Sequence, residues 1–481
     1  MEFSTAWLEW LVAFTGYELM LFASVGILLF GLDDLLVDAA WLAMRGRADT
    51  KAQDRRRADA ARFTGPIAIF IPAWDEHRVL AATVRRMLAA WQEEDVRLYI
   101  GCYPNDAATL FAISPLIARD RRLRLVVGQG DGPTTKGDNL NRLWTAMGED
   151  ERAERRQFAA VVLHDAEDHV HAEELALYRR HLVDNAMVQI PVVPLLDLDA
   201  PWIGGHYADE FAEAHGKDLA VRARLGVPIP SAGVGCALTR NALSLLALER
   251  GGNPFRPDSL TEDYEIGMLI GAYGLGSRFV DETGADGRRI ASCGGFPGTM
   301  EESVRQKARW VAGIALAGWD HLGWPGSRQD GAAQASGGRW VARWMLWRDR
   351  RAPLSAVILL AAYASLVVTL VGVVGHQFLG WAPPRLDSAL QILLALNGAL
   401  LLWRLGMRGH FTARTYGWRE ALRAVPRSFI SNVVAILAAR RAIILYCRML
   451  RSGQVIWDKT DHRENEGGAT VAAPAIRMIR R

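Results

Sequence analysis

The longest uncharged stretch of the chain sets the first constraint on its fold. From Ala352 to Pro384 there is no Asp, Glu, Lys or Arg, and a helix needs only ~20 apolar residues to cross a bilayer. A backbone in lipid must satisfy its own hydrogen bonds, which favours a helix here. Stretches with few charges run from Leu386 to Trp403, with Asp387 at its outer edge, and from Leu8 to Leu32, interrupted by Glu9 and Glu18. The sequence therefore predicts a transmembrane hairpin and an N-terminal transmembrane helix.

Basic residues flank these apolar stretches. Arg45 and Arg47 follow the first stretch, Arg348 precedes the hairpin and Arg404 follows it. Because Lys and Arg concentrate on the cytoplasmic side of membranes, we predict that residues 45–350 lie in the cytosol. The net charge is only +3, and clustering of cations beside the membrane favours contact with anionic lipids over nucleic acid.

The segment from Arg427 to Arg451 allows two interpretations. Its apolar residues are interrupted by Arg440 and Arg441, and two adjacent arginines inside a bilayer would be unfavourable. A helix lying in the membrane interface fits better than a fourth span, but both remain open. Residues 461–481 have the composition of a disordered tail.

Short apolar runs alternate with amphipathic patterns from residue 65 onward, which predicts parallel βαβ units. Strands are expected at 67–71, 97–103, 123–127 and 159–163, and helices at 76–91, 107–119, 136–147 and 172–185. In such sheets ligands bind beyond the carboxyl ends of the strands, and Glu76, Asp106 and Asp165 all follow predicted strands. Neither a dinucleotide-binding fingerprint nor a P-loop occurs.

Two carboxylates, Asp165 and Glu167, follow the fourth strand. On an extended segment they would point to the same side, and hard oxygen ligands suit Mg²⁺ or Mn²⁺ bound to a diphosphate. Two solvated loop acids are the simpler alternative. The neighbouring His164, His169 and His171 also allow a transition-metal hydrolase, but no HExxH motif supports one.

A second acidic pair, Glu262 and Asp263, follows Thr261 at the start of a predicted helix. Thr followed by acids is a common way to cap a helix, so a purely structural role is possible. A carboxylate fixed at a helix start is also well placed to accept a proton, and Asp263 is the candidate general base.

A helix predicted over 301–322 carries Gln306, Arg309 and Trp310. Gln306 and Arg309 share one face because they are three residues apart, and Trp310 is adjacent to that face. An ordinary amphipathic helix with a packed Trp is the alternative. The combination with Arg309 favours binding of a sugar and a phosphate.

These motifs, in this order, resemble the membrane-embedded inverting glycosyltransferases of the cellulose and hyaluronan synthase superfamily, which have a GT-A fold. More narrowly, the chain resembles a group of bacterial phage-adsorption proteins. The first resemblance is carried by Ile71–Glu76, Asp165–Glu167, Thr261–Asp263 and Gln306–Trp310, and the second by His164–Asp168, Asp209–Glu213, Ser231–Gly235 and Trp457–Thr460.

The resemblance implies a role for each candidate residue. Glu76 and Asp106 would bind the uridine end of a UDP-sugar, and Lys136 and Asp165 would bind the rest of the donor. Asp165 and Glu167 would hold an Mg²⁺ or Mn²⁺ ion. Catalysis would depend on Asp263, Glu262 and Arg309, and the acceptor would be bound by Gln306 and Trp310. The superfamily usually has Asp at the place of Glu167, although the longer Glu can also ligate a metal.

The expected architecture is an α/β fold, namely a GT-A-like, mostly parallel sheet with helices on both faces, plus transmembrane and interfacial α-helices. We predict an N-terminal transmembrane segment (1–44), a catalytic domain (45–300), a helix and linker to the membrane (301–351), a transmembrane hairpin (352–406), an interfacial or fourth transmembrane region (407–460) and a tail (461–481).

The resemblance also suggests a product and a location. It implies transfer of an N-acetylhexosamine to a growing polysaccharide at a bacterial inner membrane, with a possible export partner in the outer membrane. A single-transfer enzyme that makes a polyprenyl-phosphate sugar is the main alternative. A non-catalytic membrane receptor or scaffold is a further one, although every catalytic position considered holds a competent residue.

Overall fold

The computed structural model describes residues 2–44, 63–324, 336–383 and 386–453. The predicted tail (461–481) and the string Trp457–Thr460 lie outside these ranges. The strands are β1 (Ile67–Pro72), β2 (Val96–Cys102), β3 (Leu123–Val127), β4 (Ala160–Leu163), β5 (Met187–Gln189), β6 (Val192–Pro194), β7 (Cys236–Thr239), β8 (Ser277–Phe279) and β9 (Ser292–Gly294).

Helices surround the strands and continue beyond them. The shorter helices are α2 (Leu80–Ala90), α3 (Ala107–Ile117), α4 (Lys136–Glu154), α5 (Glu174–His181), α6 (Ile203–Glu213), α7 (Leu219–Leu225), α8 (Arg240–Glu249), α9 (Glu262–Ala272), α10 (Met300–Val311) and α11 (Gly318–Leu322). The longer helices are α1 (Glu2–Met44), α12 (Ser336–Arg350), α13 (Ala352–Leu379), α14 (Ser388–Tyr416) and α15 (Trp418–Ser452). One π-helical turn, Ala214–Asp218, joins α6 to α7, and another, Ala312–Ala317, joins α10 to α11.

The main sheet has the strand order β3-β2-β1-β4-β7-β5-β8. Strand β1 pairs in parallel with β2 and with β4, so that Ile67 lies opposite both Val96 and Ala160. Strand β7 is antiparallel to β4 and β5, and β6 pairs with β9 in a second small sheet. Because β1, β2, β3 and β4 are parallel, their carboxyl ends share one edge, as the sequence predicted.

Both faces of the sheet are covered by helices. Ile67 and Ile69 of β1 belong to a buried cluster with α2 and α5, whereas Ala68 and Phe70 belong to a cluster with α4, α8 and α9. This alternation follows from the two-residue period of a strand buried on both sides. The predicted α/β architecture, a mostly parallel sheet with helices on both faces, is confirmed.

Three of the described helices are long and apolar enough to cross a membrane, and they contain the three predicted spans. They are Ala6–Met44, Ala352–Leu379 and Ser388–Tyr416. Helix α1 packs on α13 through glycines, because a Cβ at Gly26 would lie only 2.7 Å from Ile358. Helix α15 is not among the candidate spans within the described residues, and its interfacial position stays a prediction.

Ion pairs hold the long helices to one another and to α6. Arg348 and Arg404, which the sequence assigned to basic flanks, lie 2.9 and 3.4 Å from the Asp34 carboxylate of α1. Arg427 of α15 is buried and lies 3.4 Å from Asp209 of α6. These arginines therefore bind acids of the same chain, and the pair Arg427–Asp209 joins α15 to α6.

The buried arginine of α15 provides a test of this packing. We expect Arg427→Met to destabilise the protein by about 3–5 kcal/mol, because it leaves the buried Asp209 without its cation. Arg427 also pairs with Glu420 at 2.5 Å. The matched control is Arg423→Met, since Arg423 pairs with the same Glu420 but is 48% exposed. Its loss should change the free energy of unfolding by about 0–1 kcal/mol. Thermal unfolding in detergent measures both, and equal melting temperatures would contradict the role of Arg427.

Candidate active site

A cavity of about 510 Å³ lies at the carboxyl edge of the sheet. Most of the candidate residues line it although they are far apart in sequence. These lining residues are Glu76, Lys136, Asp165, Glu167, Glu262, Asp263, Gln306, Arg309 and Trp310. The acidic motifs and the helix with Arg309 therefore converge on one site.

Asp106 is the candidate residue that lies apart from this set. Its carboxylate accepts hydrogen bonds from the backbone N–H groups of Thr109 (3.2 Å) and Asp75 (2.6 Å), and it does not line the cavity described here. It thus caps α3 and holds the loop that carries Glu76. Direct contact of Asp106 with a uridine stays a prediction.

The cation of Lys136 sits among the acids of the cavity. Its Nζ lies 2.6 Å from Asp165 Oδ1 and donates to the carbonyl oxygen of Gly233 at 3.4 Å. Burial alone would lower the pKa of Lys136, but the carboxylates of Asp165, Glu262 and Asp263 outweigh burial and raise it. Lys136 is therefore a permanent cation at the centre of the site.

The loop before Lys136 is fastened by Asn105, a residue that the sequence did not single out as a clamp. The Asn105 side chain donates to the carbonyl oxygen of Gly132 and accepts from its N–H, both at 2.8 Å. The Tyr103 hydroxyl lies 2.7 Å from that of Thr134. These bonds set the direction in which α4 begins, and hence the position of Lys136.

Residues Asp165 to Asp168 form a turn, and the prediction of an extended segment is wrong. The Asp168 N–H donates to the carbonyl oxygen of Asp165 at 3.3 Å, and the Asp165 N–H donates to the Asp168 carboxylate at 3.1 Å. These two bonds close the turn. Asp165 and Glu167 nevertheless both line the cavity.

His164 supports this turn from below. It is fully buried, and its two ring nitrogens lie 2.8 Å from Asp168 and 2.9 Å from Glu174. Burial lowers the pKa of His164, but the two carboxylates prevail and raise it to about 10. The histidine therefore acts as a buried cation that orients the acidic turn.

The acids fit a divalent metal that takes further ligands from its substrate. Asp165 and Glu167 offer hard oxygen atoms to the cavity, and Mg²⁺ is commonly held by one or two carboxylates plus phosphate oxygens. Within the described residues no group of three or more His, Cys, Asp or Glu could hold an ion without the substrate. The Lys136 cation beside Asp165 marks the same place as favourable for positive charge.

Glu262 and Asp263 begin α9 and lie inside the cavity wall. The alternative role of Thr261 as a side-chain cap of this helix is not supported, since Thr261 is the N-cap residue but its side chain makes no capping hydrogen bond. Asp263 Oδ1 accepts the Tyr264 N–H at 2.7 Å. Burial raises the pKa of both carboxyls, with mutual repulsion as a further cause for Glu262, while Lys136 opposes the shift. A carboxylate of raised pKa is a stronger base.

Gly233 packs directly against Asp263. Its φ is +75°, and a Cβ there would lie 2.4 Å from Asp263 Oδ2. Only glycine combines this conformation with such a close approach. The segment Ser231–Gly235, noticed in the sequence only as part of a resemblance, therefore fixes the candidate base.

An aromatic wall closes the end of the cavity near α10. The ring of Trp310 lies 6.2 Å from Phe211 and 6.0 Å from Tyr207, and Phe296 lies 4.9 Å from Phe211. Phe211, Phe296 and Trp310 all line the cavity. Phe211 and Phe296 were not predicted, because isolated aromatics give no signal until the fold brings them together.

Residues 160–375 match the family described as glycosyl transferase family group 2. This match covers less than half of the chain, and it includes the acidic turn, the candidate base and Arg309.

The chain is also 31% identical over 459 residues to the bacteriophage adsorption protein B of Escherichia coli K12 and to the bacteriophage N4 adsorption protein B of Escherichia coli O157:H7. These matches cover 90% of this chain and 60% of each relative, so the chain spans less than two thirds of their length. The predicted resemblance to phage-adsorption proteins is confirmed.

Solved structures with a similar chain path are distant. The mannosyltransferase PcManGT from Pyrobaculum calidifontis, in complex with GDP-Man and Mn²⁺, aligns with a TM-score of 0.46 at 14% identity and covers 85% of this chain and 99% of its own. TarS 1–349 of S. aureus aligns with a TM-score of 0.32 at 10% identity, covering 81% of this chain and 92% of its own.

Gly233 offers a test of how the candidate base is held. We expect Gly233→Ala to reduce glycosyl transfer at least about tenfold, because the new Cβ would displace the Asp263 carboxylate. Gly226→Ala is the matched control, since Gly226 also has a positive φ (+65°) but faces open space. Both changes strain the backbone by about 1–2 kcal/mol. Equal activity of the two variants, normalised to folded protein, would refute this role of Gly233.

Proposed function

We propose that the chain is a metal-dependent inverting glycosyltransferase. It moves a sugar, an N-acetylhexosamine by family resemblance, from a UDP-sugar to a hydroxyl of a growing polysaccharide at the inner membrane of a bacterium. One observation carries the proposal, namely the convergence of Lys136, Asp165, Asp263, Arg309 and Trp310 on a single cavity.

The donor would lie along the sheet edge. Trp74, Tyr103 and Glu76 line the cavity near the ends of β1 and β2, where aromatic rings and a carboxylate suit a nucleoside. Lys136 and Arg309 are cations deeper in the cavity, and such cations stabilise the negative charge that develops on a leaving diphosphate.

Asp165 and Glu167 would hold Mg²⁺ or Mn²⁺. Such an ion, when bound, neutralises charge on the leaving diphosphate. The ammonium group of Lys136 would stabilise the same negative charge on the diphosphate, and its contact with Asp165 keeps that carboxylate in place. The acidic turn thus orients the diphosphate end of the donor.

Asp263 would remove the proton from the acceptor hydroxyl. Its raised pKa supports this role, and the Tyr264 N–H and Gly233 hold the carboxylate still. In an inverting transfer the acceptor attacks from the face opposite the leaving group. A single carboxylate base is then sufficient, because the leaving diphosphate needs no general acid.

The aromatic wall supports a saccharide acceptor. Sugars stack on aromatic rings through their apolar faces, and Trp310, Phe211 and Phe296 offer three such rings. The size of a radiolabelled product distinguishes polymer synthesis from formation of a single polyprenyl-phosphate sugar. Binding of an outer-membrane export partner forms part of the same proposal.

The candidate base provides a sharp prediction. Asp263→Asn should lower transfer by at least about 100-fold, which is the usual contribution of a general base, while UDP binding stays largely intact. The control is Asp258→Asn, because Asp258 is close in sequence but does not line the cavity described here. Isothermal titration with UDP separates the roles: equal loss of binding and transfer would assign Asp263 to donor binding.

A donor screen with purified protein tests the function as a whole. We expect UDP release from one UDP-sugar in the presence of Mg²⁺ or Mn²⁺, and loss of that release in EDTA with recovery when the metal is restored. We expect a UDP-N-acetylhexosamine to be preferred over UDP-glucose as the donor. Absence of metal-dependent UDP release from every UDP-sugar would refute the proposal.

A further inference from the structure

His215 lies in the cavity wall without a role in any of the motifs described so far. It belongs to the π-helical turn Ala214–Asp218, lines the cavity and is 6% exposed. A π turn adds one residue to a helical turn, and such turns are frequent at functional sites. Here the turn lets α6 present both Phe211 and His215 to the cavity, with their rings stacked at 5.3 Å.

The hydrogen bond to His215 fixes its tautomer. The Val192 N–H donates to His215 Nδ1 at 3.0 Å. A backbone N–H can only donate, so Nδ1 carries no proton and the neutral ring carries its proton on Nε2. Burial, and then the charge of Arg289, lowers the pKa of His215 to about 3, which keeps the ring neutral. His215 is therefore a neutral N–H donor at physiological pH.

The Nε2–H group has no acceptor among the residues that the structure describes. The hydrogen bonds of His215 are those of Nδ1 to Val192 and of its carbonyl oxygen to Arg289. This donor belongs to a side chain that lines the cavity, and Nε2 is not among the buried side-chain atoms that lack a partner, so it is accessible from the cavity. A bound molecule is the natural source of an acceptor.

We infer that His215 is an acceptor-binding residue that donates a hydrogen bond from Nε2 to an oxygen atom of an uncharged saccharide. The inference rests on the proposed transferase function and specifies one subsite of it. The stacked Phe211 ring places His215 beside the aromatic wall of Trp310 and Phe296. A neutral N–H donor suits a hydroxyl or an acetamido carbonyl better than a lipid phosphate, which calls for cations.

Two substitutions separate the binding role from the structural one. His215→Asn keeps an acceptor at the place of Nδ1 for the Val192 N–H but loses the distal donor. His215→Gln reaches the position of Nε2 and keeps a donor there, while it loses the Nδ1 acceptor. A role in substrate binding therefore predicts that His215→Asn impairs sugar transfer more than His215→Gln does. A role in folding alone predicts that His215→Gln has the larger effect.

The measurement uses the full chain in the membranes of the cells that express it, so that the acceptor made in those cells is present. Membranes receive radiolabelled UDP-sugars, and both sugar incorporated into polymer and UDP released are counted. For His215→Asn we expect the sugar incorporated per UDP released to fall by about two- to tenfold, the usual effect of one neutral hydrogen bond. UDP release is maintained because water attacks the donor in place of the acceptor and the remaining sugar is released as free sugar. For His215→Gln the ratio should stay near that of the wild type, while the melting temperature falls.

The other outcomes overturn the inference. An unchanged ratio for His215→Asn, or an equal fall in both variants, would leave His215 with a structural role alone. A fall in UDP release together with incorporation would assign His215 to the donor. If the wild type itself releases no UDP from any donor, the transferase proposal fails first, and with it the subsite.

Discussion

The rest of the site depends on the attraction between the Lys136 cation and the carboxylates around it. Three carboxylates, those of Asp165, Glu262 and Asp263, raise its pKa from inside one cavity, and the Lys136 charge in turn opposes the rise in pKa that burial causes at Glu262 and Asp263. The cation thus holds together acids from two distant parts of the chain. Arg309, whose charge also acts on Asp263, adds a second cation from α10. The candidate site is therefore an arrangement of opposite charges that the folded chain itself provides.

Three further residues hold these charged groups in position. His164 bridges Asp168 and Glu174 under the acidic turn, and Gly233 closes the space beside Asp263. Asn105 fastens the loop that leads to Lys136. Each reactive group is therefore held by a neighbour that takes no part in the chemistry, as a preorganised electrostatic site requires.

The sequence predicted the first strands and helices of the fold and most of the candidate residues that line the cavity, because both are short-range signals. The strands β1 to β4 and the helices between them follow from apolar periodicity, and parallel pairing brings their carboxyl ends to one edge. The turn at Asp165–Asp168 was missed because it depends on a side chain that bonds its own backbone. The roles of Phe211 and His215 depend on a π turn and on contacts with distant strands, which no periodicity encodes.

Helix α6 contacts both the cavity and two of the long helices. Phe211 faces the cavity, whereas Asp209 and Glu213, on the same helix, hold Arg427 of α15 and Arg408 of α14. A rotation of α6 by a few degrees would therefore displace the wall of the cavity and strain both ion pairs at once. A substitution that moves α6 on either side is therefore expected to alter both the wall of the cavity and the packing of α14 and α15.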